Sequence, residues 1–137
     1  MKRTLKALAV AAITIAAFLA GAVTANAQPG DPTVTATCDT TVAVGTPLHC
    51  TVTIDQPGYT PANPRITWRN PRTGATLNVA NYTVIPVTYD GTAWQYTYTP
   101  TAGETGRVET FSVTVAVSAA RIPRTVIGYA GFSVVAP

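Results

Sequence analysis

Polar and hydrophobic residues alternate along much of this 137-residue chain, and no other feature of the sequence limits its fold as strongly. In residues 48–55 the hydrophobic side chains of Leu48, Cys50, Val52 and Ile54 share one face, and polar side chains share the other. A period of two residues is typical of half-buried strands, and no long segment after residue 27 has the 3.6-residue period of a helix. The pattern predicts an all-β antiparallel sandwich of seven or eight strands.

Glycines and prolines refine the strand predictions. The sequence YDGT, residues 89–92, predicts a hairpin turn. Pro86 lies within a strand predicted over residues 82–89, which indicates an edge strand or a bulge because proline has no amide hydrogen to donate. Gly128 and Gly131 interrupt the last predicted strand, residues 124–135, so we expect its alternation to slip at a bulge.

The first 27 residues have the pattern of a secretory signal peptide. Lys2, Arg3 and Lys6 precede an uncharged hydrophobic run over residues 7–20, and small residues end in the sequence Ala-Asn-Ala. This order predicts cleavage after Ala27 and divides the chain into a signal peptide, residues 1–27, and a β-sandwich domain, residues 28–137. The expected location is extracellular or at the cell surface of a bacterium, or alternatively the periplasm. The other interpretation is an uncleaved anchor, although the hydrophobic run is short for a bilayer span.

The net charge of the chain changes once this leader is removed. The whole chain carries a formal charge of +3, but three of its nine basic residues lie in the leader. The six remaining arginines are balanced by six acidic residues, so residues 28–137 have no net charge. Nucleic-acid binding favours a strongly basic surface, so we expect no nucleic-acid partner and, after cleavage, no membrane span.

Both cysteines and the one histidine lie within residues 38–50. Cys38 and Cys50 are predicted to face the core from neighbouring antiparallel strands, and export favours disulfides. We expect a bond between them that stabilises the fold by about 3 kcal/mol. The alternatives are two free thiols, a metal site or a catalytic cysteine. His49 is predicted to point away from Cys50, and zinc favours about four ligands.

No catalytic pattern is evident. Asp39, Asp55, Asp90 and Glu104 lie at predicted turns or strand ends, and Glu109 is predicted to face outward, so all are expected to be solvated. Neither a nucleophile motif, a phosphate loop nor a calcium loop is present. We expect a protein that is not an enzyme and needs no cofactor.

Two surface features are candidate binding sites. Arg65 and Arg69 share a strand face and Arg72 lies in the adjoining turn, and arginine side chains suit carboxylate, sulfate or phosphate groups. The alternative is an ordinary solvated strand face. Among the aromatic residues, Tyr59 is expected to be the best exposed, in the loop of residues 57–64.

Residues 90–115 resemble strands E and F of bacterial immunoglobulin-like domains, which show an aromatic-x-aromatic-x-x-Pro strand, a glycine-containing turn and a Phe-x-Val-x-Val strand. The matching residues are Tyr96, Tyr98, Pro100, Gly103, Gly106, Thr110, Phe111, Val113 and Val115. The resemblance implies an immunoglobulin-like sandwich in which Trp68 is a core tryptophan. It also implies adhesion, recognition or a spacer role.

Three functions are therefore open. The first is a binding or adhesion module for an unknown protein or glycan. The second is a structural subunit that assembles with copies of itself in a surface fibre or layer, and the third is a small exported enzyme inhibitor.

Overall fold

A computed structural model describes residues 27–70, 72–80, 86–118 and 121–137. The predicted signal peptide therefore lies outside the described residues except for Ala27, as do residues 82–85 of a predicted strand. Nine strands are described: β1 Val34–Cys38, β2 Thr41–Ala43, β3 Leu48–Ile54, β4 Ala62–Arg69, β5 Thr76–Ala80, β6 Pro86–Tyr89, β7 Ala93–Tyr98, β8 Val108–Val117 and β9 Arg124–Val135. One short 3₁₀ turn, Ala102–Glu104, joins β7 to β8.

The strands form two sheets. The first has the order β1-β3-β7-β6 and the second the order β2-β9-β8-β4-β5. All pairings in them are antiparallel except that of β2 with β9, which is parallel. The predicted all-β sandwich is confirmed, with one more strand than expected, because β2 is too short for a two-residue period to separate it from its neighbours.

The hydrophobic core lies between the sheets and contains the inward residues of both. Its largest members include Leu48 from β3, Ile66 from β4, and Phe111 and Phe132 from the central strands of the second sheet. The rings of Tyr96 and Phe111 contact each other across the core, with centroids 5.5 Å apart. Alternation along each strand therefore places the hydrophobic side chains of both sheets in the space between them.

The cystine lies where the chain passes from one sheet to the other. Cys38, the last residue of β1, pairs in register with Cys50 of β3, and a disulfide joins them across 4.1 Å between Cα atoms. Only Asp39 and Thr40 separate Cys38 from β2, which belongs to the second sheet. The predicted bond between neighbouring antiparallel strands is confirmed, and both cysteine side chains are buried in the core.

Local turn chemistry also agrees with the sequence. The β6–β7 hairpin pairs Tyr89 with Trp94, and its Gly91 has φ +92°. Asp90 Oδ1 accepts hydrogen bonds from the backbone N–H groups of Ala93 and Thr92, both at 2.8 Å, and these bonds lower the pKa of Asp90. The prediction for Pro86 is confirmed as well, since β6 is an edge strand with a register shift beside this residue.

The predicted slip in the last strand is wrong. The pairing of β8 with β9 runs without a register shift from Val108 and Ser133 to Val117 and Arg124. Gly128 instead lies on the core side of β9, where a β-carbon would be only 2.7 Å from Val34 Cγ1 and 2.9 Å from the Val34 carbonyl oxygen. The missing side chain lets β1 of the first sheet approach β9 of the second.

An ion pair fixes the start of the described chain to β9. The Arg124 guanidinium donates two hydrogen bonds to the Asp31 carboxylate, one of them from Nε at 3.0 Å. The backbone N–H of Gln28 also donates to this carboxylate, at 2.7 Å. Arg124 foremost, and then Gln28, hold the pKa of Asp31 below its usual range.

Candidate functional site

The outer surface of the second sheet brings together two of the three candidate arginines. Arg65 and Arg69 are both exposed and lie on the outer side of β4, because Ile66 between them is buried in the core. Four residues on a strand separate their Cα atoms by about 13 Å. The predicted common face for these two residues is confirmed.

Strand pairing determines what lies beside these arginines. Arg65 pairs with Ser112 of β8, which pairs in turn with Tyr129 of β9, so these three residues form a row across three strands. Opposite residues on neighbouring strands have Cβ atoms about 5 Å apart. We name this surface the arginine face, and its outward residues are Arg65, Thr67, Arg69, Thr110, Ser112, Thr114 and Tyr129.

Among the described residues, the arginine face contains no carboxylate. Within the described parts of the chain the ion pairs are Arg107 with Glu109 and Arg124 with Asp31, so neither Arg65 nor Arg69 is paired with an acidic residue there. Arg65 pairs with Ser112 and Arg69 with Thr76, and Thr67 between the two arginines pairs with Thr110, so these neighbours are all neutral. The surface thus carries uncompensated positive charge beside hydroxyl groups, a combination that suits anionic groups.

The turn after β4 fixes one end of the face. The Arg69 guanidinium donates from Nε to the Gly74 carbonyl oxygen at 2.8 Å, and Asn70 Oδ1 accepts from the backbone N–H of Arg72 at 2.9 Å. Gly74 has φ +70°, a conformation that glycine adopts easily. Arg69 is therefore held against its turn, and Arg72 is an exposed residue of the same turn.

Tyr59 does not belong to this face. It is half-buried and packs against the core instead of standing exposed in its loop, which corrects its predicted exposure. A tyrosine next to hydrophobic strand residues buries its ring readily, so the composition of the loop alone does not predict whether Tyr59 is exposed.

The cysteine and histidine interpretations are decided by the geometry. Both cysteines form the disulfide, which rules out a thiol nucleophile or a thiolate ligand at these positions. His49 is exposed and lies on the outer side of β3, as predicted from its position next to Cys50.

Two acidic residues were predicted wrongly. Glu109 is 0% exposed and Glu104 is 2% exposed, whereas both were expected to be solvated. Glu109 shares the parity of Phe111 and Val113 in β8, so counting positions along that strand places it inside. Glu104 does end a turn, as expected, but the turn folds against the end of the sandwich.

Comparison with known proteins gives no family assignment. No protein-family model matches the chain, and no curated protein is significantly similar to it in sequence. The described residues contain no hydrophobic helix of membrane-spanning length.

Proposed function

We propose that this chain is an exported, non-catalytic immunoglobulin-like module that binds an anionic ligand on the arginine face. The observation that carries the proposal is the presence of Arg65 and Arg69 on one neutral outer face without a carboxylate partner among the described residues. Arginine forks bind carboxylate and sulfate groups through two parallel hydrogen bonds.

Strand order supports the immunoglobulin-like assignment. Immunoglobulin sandwiches have strands A, B, E and D in one sheet and C, F and G in the other, with further strands beside C in variable-type domains. The sheet β1-β3-β7-β6 has the first order, and β9-β8-β4-β5 has the order G, F, C and an added strand. The disulfide differs, because it joins strands equivalent to A and B, whereas antibody domains join B and F.

Export is supported by the disulfide and by the leader sequence. A disulfide persists in oxidising compartments, and Cys38 and Cys50 are joined in the fold. We expect mass spectrometry of the protein collected from culture medium to give a chain that begins at Gln28. Its two cysteines should take up two alkyl groups after reduction and none before it. Recovery of a chain that still carries residues 1–27 would contradict export with cleavage.

Binding is tested by replacing the two arginines together. We expect Arg65→Ala/Arg69→Ala to reduce affinity by about a hundredfold or more, because each charged hydrogen bond contributes about 1.5–3 kcal/mol. The measurement is binding to an array that carries sulfated and carboxylated glycans, acidic peptides and neutral versions of each. The matched control is Arg121→Ala, which removes an exposed arginine from the β8–β9 loop.

Equal loss in Arg121→Ala and in the double variant would indicate a general charge effect and contradict a site on the arginine face. Binding of neutral and anionic probes alike would contradict the ligand class.

Self-assembly by strand addition receives less support from the sheet edges. The four edge strands are β1, β6, β2 and β5, and none of them has more than five residues within the part of the chain that the structure describes. Short edge strands are one way in which natural sandwiches limit pairing between molecules. We therefore expect a monomer in size-exclusion chromatography, and a concentration-dependent polymer would favour the structural-subunit function instead.

A further inference from the structure

A buried pair of acidic residues lies at the end of the sandwich where β7 joins β8. Glu109 is on the core side of β8 and pairs in register with Trp68 of β4 and Phe132 of β9. Neither of its carboxylate oxygens accepts a hydrogen bond from a described N–H or O–H group, and its acidic neighbour is the Glu104 carboxyl group, with which it can share a proton. The nearest cation is the Arg107 guanidinium, with Nη1 4.0 Å from Oε1, and that guanidinium also lies over the Trp68 ring, 4.7 Å from its centroid.

The second acid, Glu104, has a different environment. Its Oε2 accepts hydrogen bonds from the backbone N–H and the hydroxyl of Thr101, at 2.6 and 2.7 Å, and its Oε1 accepts one from the Tyr98 hydroxyl. Accepting these three hydrogen bonds favours the ionised form of Glu104. The Glu104 carboxylate thus places negative charge beside Glu109.

The turn that contains Glu104 fastens the ends of other strands. The backbone N–H of Gly106 donates to the Val134 carbonyl oxygen at 2.8 Å, and Val134 donates back to the Arg107 oxygen at 2.9 Å. The Gly45 N–H, in the turn between β2 and β3, donates to the Pro100 oxygen at 3.0 Å. Loosening residues 100–107 would therefore release the end of β9 and the turn that follows β2.

Charge on Glu109 is costly in this environment. Burial raises the pKa of Glu109 to about 7, the Glu104 carboxylate acts in the same direction, and Arg107 opposes it. Glu104 and Arg107 face Glu109 from the turn. Trp68 of β4 and Phe132 of β9 lie on either side of it, and neither of these two side chains titrates. From β7, Tyr98 reaches the pair through Glu104.

We propose that Glu109 is a proton-operated latch: when neutral it is accommodated between Trp68 and Phe132, and when ionised it repels Glu104 and loosens residues 100–107. This inference is independent of the ligand proposed above, because it concerns the opposite side of the second sheet. It gives the exported chain a fold whose end opens at alkaline pH and closes at mildly acidic pH.

The direction of the pH effect follows from the two states. The unfolded chain ionises Glu109 near the ordinary value of 4.5 and the folded chain near 7. Between these values the folded state holds a proton that the unfolded state has released, so stability falls as pH rises through this window and changes no further above it.

The test is urea unfolding of residues 28–137 at intervals between pH 5 and pH 9, with hydrogen exchange at the same pH values. We expect the folding equilibrium constant of the natural sequence to fall about tenfold to a hundredfold from pH 5 to pH 8, and the amides of Gly106 and Val134 to lose protection relative to their intrinsic rates. Glu109→Gln, which keeps the shape without the charge, should remove this dependence. Asp39→Asn, which alters an exposed carboxylate, should keep it.

The same pH dependence in Glu109→Gln as in the natural sequence would overturn the proposal, as would unchanged protection of both amides. If Glu109→Gln does not fold, carboxyl-carbon NMR of the natural sequence decides. A titration midpoint of Glu109 near 7 supports the latch, and a midpoint near 4.5 overturns it.

Discussion

Gly128→Ala is expected to destabilise the fold by about 3 kcal/mol, at the upper end of the range for overpacked cores. The new β-carbon would lie 2.7 Å from Val34 Cγ1, 2.9 Å from the Val34 carbonyl oxygen and 3.2 Å from its carbonyl carbon. Two of these atoms are backbone, so no change of side-chain rotamer relieves the clash. Val34 is itself held by its pairing with Ile54. Equilibrium unfolding in urea measures the effect.

Gly131→Ala is the matched control, since Gly131 lies three residues further along the same strand. A β-carbon there would have its nearest neighbour, the Glu109 carbonyl oxygen, at 3.8 Å, which is an ordinary contact. Neither glycine has a positive φ, so alanine is conformationally acceptable at both positions. Gly131→Ala should leave stability unchanged or raise it by up to about 1 kcal/mol. Equal stability of the two variants would contradict the close approach of β1 to β9.

Removal of the cystine is the second change with a large expected effect. Cys38→Ala/Cys50→Ala should lower the free energy of unfolding by about 3 kcal/mol, because the bond closes a loop whose ends are 12 residues apart. Loss of two buried sulfur atoms adds to this value. Both cysteines are replaced together so that no free thiol remains to pair between molecules.

Urea unfolding with and without a reducing agent separates the contributions. Reductant should shift the natural sequence toward the stability of the double variant and should not affect the variant. A double variant as stable as the oxidised natural protein would show that the cystine does not stabilise this fold.

Local alternation predicted most strands, because the two-residue period of a half-buried strand can be recognised from consecutive residues alone. It placed Ile66 inside and Arg65 outside correctly. It could not predict that β2 pairs with β9 in the second sheet, since that pairing joins Thr41 to Ser133, far apart in sequence. The need for glycine at position 128 depends on the same kind of distant contact.

The candidate site was predictable to a similar extent. The common face of Arg65 and Arg69 follows from their spacing along one strand, but the neighbours Ser112 and Tyr129 follow from the order of three strands in a sheet. The burial of Glu109 could have been predicted, because Glu109 and Phe111 are two residues apart and therefore lie on the same side of the strand. The general expectation that carboxylates are solvated led to the opposite prediction. The role of Glu104 beside it required the path of the turn before β8.

The position of the cystine also determines how the fold carries mechanical tension. When the chain is stretched between points before residue 34 and after residue 135, force travels along β1 to Cys38 and crosses the sulfur–sulfur bond directly to Cys50. Residues 39–49, which include β2, then lie outside this covalent path. The parallel pairing of β2 with β9 therefore lies beside the covalent path from β1 to β3, and β2 becomes part of that path when the disulfide is reduced.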